Sequence, residues 1–170
     1  CTGGYIEINR LKKEEKKIML TRIHMEEDAG KSIHDLDPFH SLIDFNRAGV
    51  PLLEIVSEPE ITSSEEAYQY LYEVRKLVRH IGVSNGNMEE GSLRCDANIS
   101  VRPKGEKKLR NRVEVKNINS LKNVMKAIDL EVERQINCYE NNEKVNQETR
   151  NYNAHNNTTT VLRTKEDAHD

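Results

Sequence analysis

Three groups of charged residues in this sequence stand where charge is costly, and chemistry is the usual reason. Glu26, Glu27 and Asp28 form a row behind His24-Met25, at the end of a stretch of apolar alternation. Adjacent carboxylates repel one another unless a cation lies among them. Hard oxygen donors of this kind suit Mg²⁺, which takes a few carboxylates together with waters and substrate phosphates. The same row also reads as a solvated acidic turn, and His24 reads equally as a ligand or as a hydrogen-bonded structural residue. Glu54 is the second group, set inside the apolar run from Val50 to Val56. A carboxylate there needs a cation or a metal. Asn46 and Arg47 precede it on a turn punctuated by Gly49 and Pro51, and Arg47 is either an anion clamp or the partner of a structural carboxylate.

The third group lies in MEEGSLRCDANISVR, Met88 to Arg102. Leu93, Cys95, Ala97, Ile99 and Val101 alternate with Arg94, Asp96, Asn98, Ser100 and Arg102, the signature of a strand with one apolar and one polar side. A second run, Arg112 to Ile118, sets Val113 and Val115 against Arg112, Glu114 and Lys116. The polar PKGEKKLRN between them predicts an antiparallel hairpin. Its polar face would present Arg94, Asp96, Asn98, Glu114 and Lys116 together. That set suits a metal ion and phosphates, and the competing account is a wet outer sheet face. Cys95 belongs to the apolar row, where a cysteine is ordinarily a small buried hydrophobe.

The elements that must position these groups are legible in outline. Tyr5 to Ile8 and Ile18 to Met25 predict strands, joined by a charged connection from Asn9 to Lys17. Val50 to Val56 predicts a strand buried on both faces. Ser63 with Glu66 forms a capping box for a helix whose stripe is Ala67, Leu71, Val74, Val78 and Ile81, closed by Gly82. Ser120 opens a second helix with Leu121, Val124, Ile128 and Val132 on its stripe. Tyr68, Tyr70 and Tyr72 read as packing residues. Val145 to Arg150 and Thr158 to Thr164 predict a final exposed hairpin around an Asn-rich turn.

The chain has 170 residues, 35% hydrophobic and 32% charged, with net charge −3. That length accommodates one domain with a sizeable core. The charge balance and the pI of about 6.1 give no global signal for nucleic acid. Local basic clusters at Lys12-Lys13, Lys16-Lys17 and Lys104 to Arg112 are ordinarily solvated loops. No membrane-spanning run or signal peptide is present. Three cysteines without metal or disulfide spacing fit a reducing compartment. His34, His40, His80, His155 and His169 show no ligand spacing. The chain opens on Cys1 and ends on His169-Asp170, and it reads as an internal fragment.

The stretches RIHMEEDAGK, DFNRAGVPLLEIVSEP, MEEGSLRCDANISVRP, VEVKNINS and QETR, in that order, closely resemble the B-subunit (GatB) family of glutamyl/aspartyl-tRNA(Gln/Asn) amidotransferases. The resemblance runs from Gly3 to Asp170. It implies an α+β fold, an antiparallel sheet flanked by helices, similar in architecture to glutamine synthetase. Residues 1–170 would form part of a single catalytic cradle domain, without the family's N-terminal strand and its C-terminal helical and tail domains. The activity implied is ATP- and Mg²⁺-dependent phosphorylation of the side-chain carboxylate of Glu on tRNA(Gln) or Asp on tRNA(Asn). Ammonia from a glutaminase A subunit then displaces the phosphate, in a complex with a C subunit, in the bacterial cytoplasm or an organelle matrix such as the mitochondrion, without a membrane.

On this reading Glu26, Glu27, Glu54 and Asp96 are metal ligands, with Glu27 foremost. Arg47, Arg94 and Lys116 are catalytic residues handling phosphate, and Lys31 and Asn98 bind the cofactor. The fragment by itself would be inactive. Two other functions fit parts of the sequence. A free-standing carboxylate-amine ligase would need its own nucleotide-binding half, and no glycine-rich phosphate loop is present. A non-catalytic tRNA-binding module would show a basic face and a higher pI.

Overall fold

The computed structural model describes residues 1–9, 15–34 and 36–164. The sequence-predicted loop over 9–17 lies partly outside these residues, as do Lys12-Lys13 and His169. The described elements run β1 (Tyr5–Asn9), β2 (Glu15–Glu27), β3 (Lys31–Ile33), β4 (Leu42–Asp44), β5 (Pro51–Ser57), α1 (Ser64–His80), β6 (Cys95–Ile99), β7 (Val113–Ile118), α2 (Leu121–Glu140), β8 (Glu148–Asn153) and β9 (Thr158–Thr164). The class is α+β, as expected. No helix among the described residues is long and apolar enough to cross a membrane. The chain divides into two compact units, Cys1–Glu7 with Lys16–Ile61, and a second built mainly from Thr62 onward.

In the first unit β1, β2 and β5 form a three-stranded sheet, and β3 pairs with β4 in a separate ribbon. β2 buries Ile18 and Leu20, then carries a bulge: Leu20 faces Ser57 while Arg22 faces Val56. The extra residue shifts the parity of the strand. Ile23, not Arg22, continues the side of Leu20, and Arg22, His24 and Glu26 fall together on the other side. The alternation predicted for Ile18 to Met25 is therefore interrupted. β5 departs from the prediction as well. Among the described residues it pairs with β2 alone, as an edge strand, and Val50 and Leu53 are 42% and 47% exposed. It is not buried on both faces.

The second unit places α1 and α2 with a four-stranded sheet in the order β6-β7-β8-β9. Glu66 N–H donates to Ser63 Oγ at 3.2 Å, the expected cap, while the Glu66 carboxylate accepts from Thr62 N–H and its hydroxyl. Ala67, Tyr70, Leu71, Val74 and Val78 are buried, and Ile81 is the 58% exposed C-cap instead of a stripe residue. The connections decide how the strands pair. The loop from β6 to β7 gives an antiparallel pair. The α2 crossover returns the chain to the other end, so β8 runs parallel to β7. β8 and β9 form the predicted hairpin. It is not an exposed one, because β8 is an inner strand, and Val145 and Tyr152 are 1% and 0% exposed. Asn117, Asn142 and Asn157 all take positive φ, at 65°, 58° and 53°. Asparagine tolerates this left-handed region better than most residues, which accounts for part of the Asn-rich composition.

Of the stretch from Met88 to Arg102, only Cys95–Ile99 forms a paired strand. Residues 88–94 make a turn in which Asn87 Oδ1 accepts from Glu89 N–H at 3.0 Å. The alternation in burial nevertheless runs from Leu93 to Ile99, and Val101 stays half-buried beyond it. What holds the chain beyond Ile99 is Gln135 of α2. Its amide donates to Ile99 O at 3.0 Å and accepts from Val101 N–H at 3.1 Å, standing in for a strand partner.

Gln135 is fixed in turn by Glu131, whose side chain is fully buried. Glu131 accepts two bonds from Arg134 at 2.8 and 2.9 Å and one from Gln135 at 2.7 Å, with Arg150 Nε at 3.9 Å. Arg150 of β8 also donates to Glu148 at 2.5 Å and to Thr159 of β9. The hydrogen bond to Glu131 raises Arg134 above its ordinary value; burial opposes this, and the charges of Glu131 and Glu148 add to it. The most deeply buried positions of α2 are therefore Val124, Ala127, Glu131 and Gln135, a stripe half polar, offset from the predicted one. Glu131→Ala would leave Arg134, Arg150 and Gln135 without their buried acceptor. It should cost about 3–5 kcal/mol, the usual loss on breaking a buried pair, read from urea unfolding of the full-length protein. A loss under about 1 kcal/mol would show that the network is not structural.

Candidate active site

The first cluster belongs to the sheet of the first unit. The β2–β5 register sets His24 opposite Glu54, Glu26 opposite Leu52 and Glu27 opposite Pro51. Side chains directly opposite share a face, so His24, Glu26 and Glu54 are neighbours on one face, together with Arg22. Glu27 points to the other face, with Met25 and Leu53. The structure thus separates two residues that stand side by side in the sequence. Arg22 Nη2 donates to Glu54 Oε2 at 2.7 Å and supplies the cation that Glu54 was expected to need. Both side chains are nearly half exposed, so the pair contributes little stability in itself.

Arg47 pairs with the last carboxylate of the acidic row. Its Nε donates to Asp28 Oδ2 at 2.7 Å, with Asp28 only 14% exposed. Backbone bonds from Asp28 N–H to Val50 O (2.8 Å) and from Gly49 N–H to Asp28 O (2.9 Å) lock the turn to the end of β2. Gly49 has φ +75°, which a side chain would strain. Lys31 is exposed at the start of β3, opposite Asp44.

The second cluster is the predicted polar face of the second unit. Asp96 and Asn98 are exposed on β6, with Cys95 and Ala97 turned toward the core side. Lys116 Nζ donates to Asp96 Oδ2 and lies 3.1 Å from Glu114 Oε1. Glu114 accepts from Thr149 Oγ1 at 3.0 Å, which carries the network to β8. Burial acts to lower the Lys116 ammonium, but its hydrogen bonds to Asp96 and Glu114 and their charges outweigh it and raise the group above its ordinary value. Lys116 therefore stays cationic throughout the neutral range. It is suited to hold an anion and unsuited to act as a base. Arg94 is exposed and has interactions of its own.

The register of this face depends on a second bulge. Cys95 faces Ile118 while Ala97 faces Val115, so β7 carries an extra residue. Asn117, in the left-handed region, absorbs it, with its side chain donating to Tyr152 O at 3.3 Å. Ile118 is thereby returned to the core, 5% exposed, while Lys116 stays beside Asp96. Simple alternation would have put Ile118 on the polar side. Burial pushes the Cys95 thiol up to about 12, with the Asp96 charge adding to it, so at neutral pH it is an inert thiol.

Each unit holds donors of a distinct kind. Glu26 and Glu54 offer hard oxygen donors of the kind Mg²⁺ prefers, and His24 beside them adds a borderline nitrogen donor. Among the described residues no three His, Cys, Asp or Glu side chains already converge on one ion position. Arg22, Thr149 and Glu131 support these clusters and escaped the sequence reading. Arg22 was detectable as the cation nearest Glu54 across a strand pair. The others depend on pairings that no local pattern reveals.

Comparison with known proteins agrees along the whole chain. The family described as the GatB/GatE catalytic domain matches residues 1–170. The B subunits of the aspartyl/glutamyl-tRNA(Asn/Gln) amidotransferases of three bacteria are similar over 170 residues each. That of Thermodesulfovibrio yellowstonii is 52% identical and covers 100% of this chain. Those of Leptospira biflexa and Clostridium novyi are 56% and 55% identical over 99% and 100% of it. This chain spans 35% of the length of each of these relatives. With a catalytic-domain match from end to end, the chain belongs to the GatB/GatE catalytic domain family.

Proposed function

We propose that this chain is part of the catalytic cradle domain of an amidotransferase B subunit. The reaction is the ATP-dependent amidation of Glu on tRNA(Gln), of Asp on tRNA(Asn), or of both, in the service of translation. The observation that carries this reading is the catalytic-domain match across residues 1–170, with relatives named for that activity at 52% and 56% identity. The partners are a glutaminase A subunit, a C subunit and the mischarged tRNA, in bacterial cytoplasm or an organelle matrix.

A carboxylate is a poor acyl donor because its leaving group would be oxide. Transfer of the γ-phosphoryl of ATP to a carboxylate oxygen gives an acyl phosphate and ADP. Ammonia then adds to the carbonyl carbon, loses a proton, and the C–O bond to phosphate breaks, leaving the amide. The protein's task is mainly to position the groups and neutralise charge. Mg²⁺ would neutralise phosphate charge, with Glu26, Glu54 and Glu27 as proposed ligands in the first unit and Asp96 as a proposed ligand in the second. Lys116 stays cationic between its two carboxylates, Arg47 and Arg94 supply guanidinium groups, and Lys31 and Asn98 contact the nucleotide. Glu26 and Glu54 share a face across the β2–β5 pair and Glu27 does not, which supports a site built first on Glu26 and Glu54.

In the complete enzyme, Glu26→Gln and Glu54→Gln should each lower tRNA-dependent ATP hydrolysis by about 10²-fold or more, the loss expected when one transition-state contact is removed. Each should raise the Mg²⁺ concentration needed for half-maximal rate and leave glutaminase activity measurable. Amidation at the normal rate in both variants would refute the assignment. Glu27→Gln, assayed beside them, decides whether the opposite face of β2 also holds metal.

Asp96→Asn removes the charge beside Lys116. With Lys116 and Asp96 side chains 34% and 44% exposed, the pair should contribute only about 0–1 kcal/mol to stability. The melting temperature should therefore shift little while tRNA-dependent ATPase falls by about 10²-fold. Intact ATPase together with a lowered melting temperature would make the polar face structural.

A further inference from the structure

Thr149 borders the polar face of β6 and β7 and lies outside the set of groups that would touch phosphate or metal. It belongs to β8, is 8% exposed, and stands directly across the parallel pair from Glu114. A buried threonine in a strand is ordinarily a packing residue, suited by its branched shape. Here its hydroxyl has a charged acceptor, Glu114 Oε2 at 3.0 Å. Hydrogen bonds to ionised groups are about twice as strong as neutral ones, so this contact can decide how the carboxylate stands.

The position of Thr149 is itself fixed from behind. Its neighbours Glu148 and Arg150 point to the opposite face of β8. There Arg150 lies 3.9 Å from the buried Glu131, and Glu148 lies 3.7 Å from Arg134. On its other edge β8 meets β9 with a register shift between Thr149 and Arg150, an irregularity of the kind that re-aims side chains. The threonine therefore carries the rigidity of the α2 network through the sheet to the side that faces away from α2.

Glu114 divides its two oxygens: Oε2 accepts from Thr149, and Oε1 lies 3.1 Å from Lys116 Nζ. The terminal torsion of a glutamate is broad and the lysine stem is flexible, so neither side chain would settle the other. Asp96, the second partner of Lys116, stands on the edge strand β6 and makes no other side-chain bond among the described residues. Thr149 is thus the fixed end of the chain Thr149–Glu114–Lys116–Asp96. When an anion draws the ammonium away, a carboxylate held by the hydroxyl stays in place instead of following it. We infer that Thr149 is a positioning residue for the proposed phosphoryl transfer: its hydroxyl sets the Glu114 carboxylate and, through it, the Lys116 ammonium. The inference rests on the reading of Lys116 as a phosphate-handling cation.

The test compares tRNA-dependent ATP hydrolysis in the complete enzyme for Thr149→Val, Thr149→Ser and Lys116→Met, with the melting temperature of each. Valine keeps the branched shape and loses the hydroxyl, whereas serine keeps the hydroxyl and loses the methyl group. Thr149→Val should lower kcat about tenfold, the effect of losing one hydrogen bond to a charged group, with a melting temperature close to that of the wild type. Thr149→Ser should retain most of the rate even where the lost methyl group lowers the melting temperature. A packing role requires the reverse order, with the valine variant active and the serine variant impaired, and that order would overturn the inference. Equal losses in the two variants would overturn it as well, because the hydroxyl would then not be the group that counts. Lys116→Met separates the inference from the reading beneath it. A slow Lys116→Met enzyme beside a normal Thr149→Val enzyme overturns the positioning role alone. Lys116→Met at the wild-type rate overturns the reading of Lys116 and the inference with it.

Discussion

One carboxylate removed wholly from water sets the internal order of the second unit. Taking a charge of this size into the interior costs several kcal/mol even after relaxation, and removing any one partner leaves that cost uncompensated. Glu131 is therefore tolerable only where Arg134, Gln135 and Arg150 all reach it. Those partners lie on two different elements. Gln135 binds the backbone of Ile99 and Val101 at the end of β6, and Arg150 belongs to β8 and binds Thr159 of β9. A purely apolar helix face could slide by a turn at small cost. This one cannot slide without stranding a buried ion. The net stability such a network adds is modest; what it adds is register across the sheet, which also keeps Asp96 and Asn98 facing away from α2.

The two bulges do at the level of single strands what Glu131 does for the unit. A one-residue insertion reverses which side chains face which way. In β2 the insertion lets Leu20 and Ile23 share the apolar side and so frees Arg22, His24 and Glu26 to stand with Glu54. In β7 the insertion at Asn117 lets Val115 and Ile118 share the core while Lys116 remains beside Asp96. Both bulges lie next to the residues proposed for the reaction. Each reconciles a core requirement with a site requirement that strict alternation would set against each other.

That conflict marks where sequence reading worked and where it stopped. Leu93 to Ile99 was legible because burial there follows the pleat for seven residues without interruption. The Ser63 and Ser120 caps were legible because the bond spans three residues. The face of Glu27 was not, because parity in β2 is set by a register with β5 nearly thirty residues away in sequence. Glu131 and Gln135 were missed for a related reason. Hydrophobic periodicity assumes that polar residues face water, and the most buried positions of α2 violate it with long-range partners on β6 and β8. The parallel pairing of β7 with β8 likewise follows from the α2 crossover and leaves no mark within either strand.

The cations proposed to handle phosphate share a physical arrangement. Arg47 is held by Asp28, and Lys116 by Asp96 and Glu114. The partly exposed Lys116–Asp96 pair contributes about 0–1 kcal/mol, so a phosphate bearing more charge than a carboxylate can compete for that donor at little expense, whereas Asp28, only 14% exposed, holds Arg47 more firmly. The carboxylates meanwhile restrict the rotamers of long, flexible side chains, which would otherwise lose about 2 kcal/mol of conformational freedom when an anion bound. They also limit mutual repulsion between cations before any anion arrives. A weak ion pair is more useful here than a strong one. A strong pair would hold the cation against its substrate, and an unpaired cation would have to be ordered at the moment of binding.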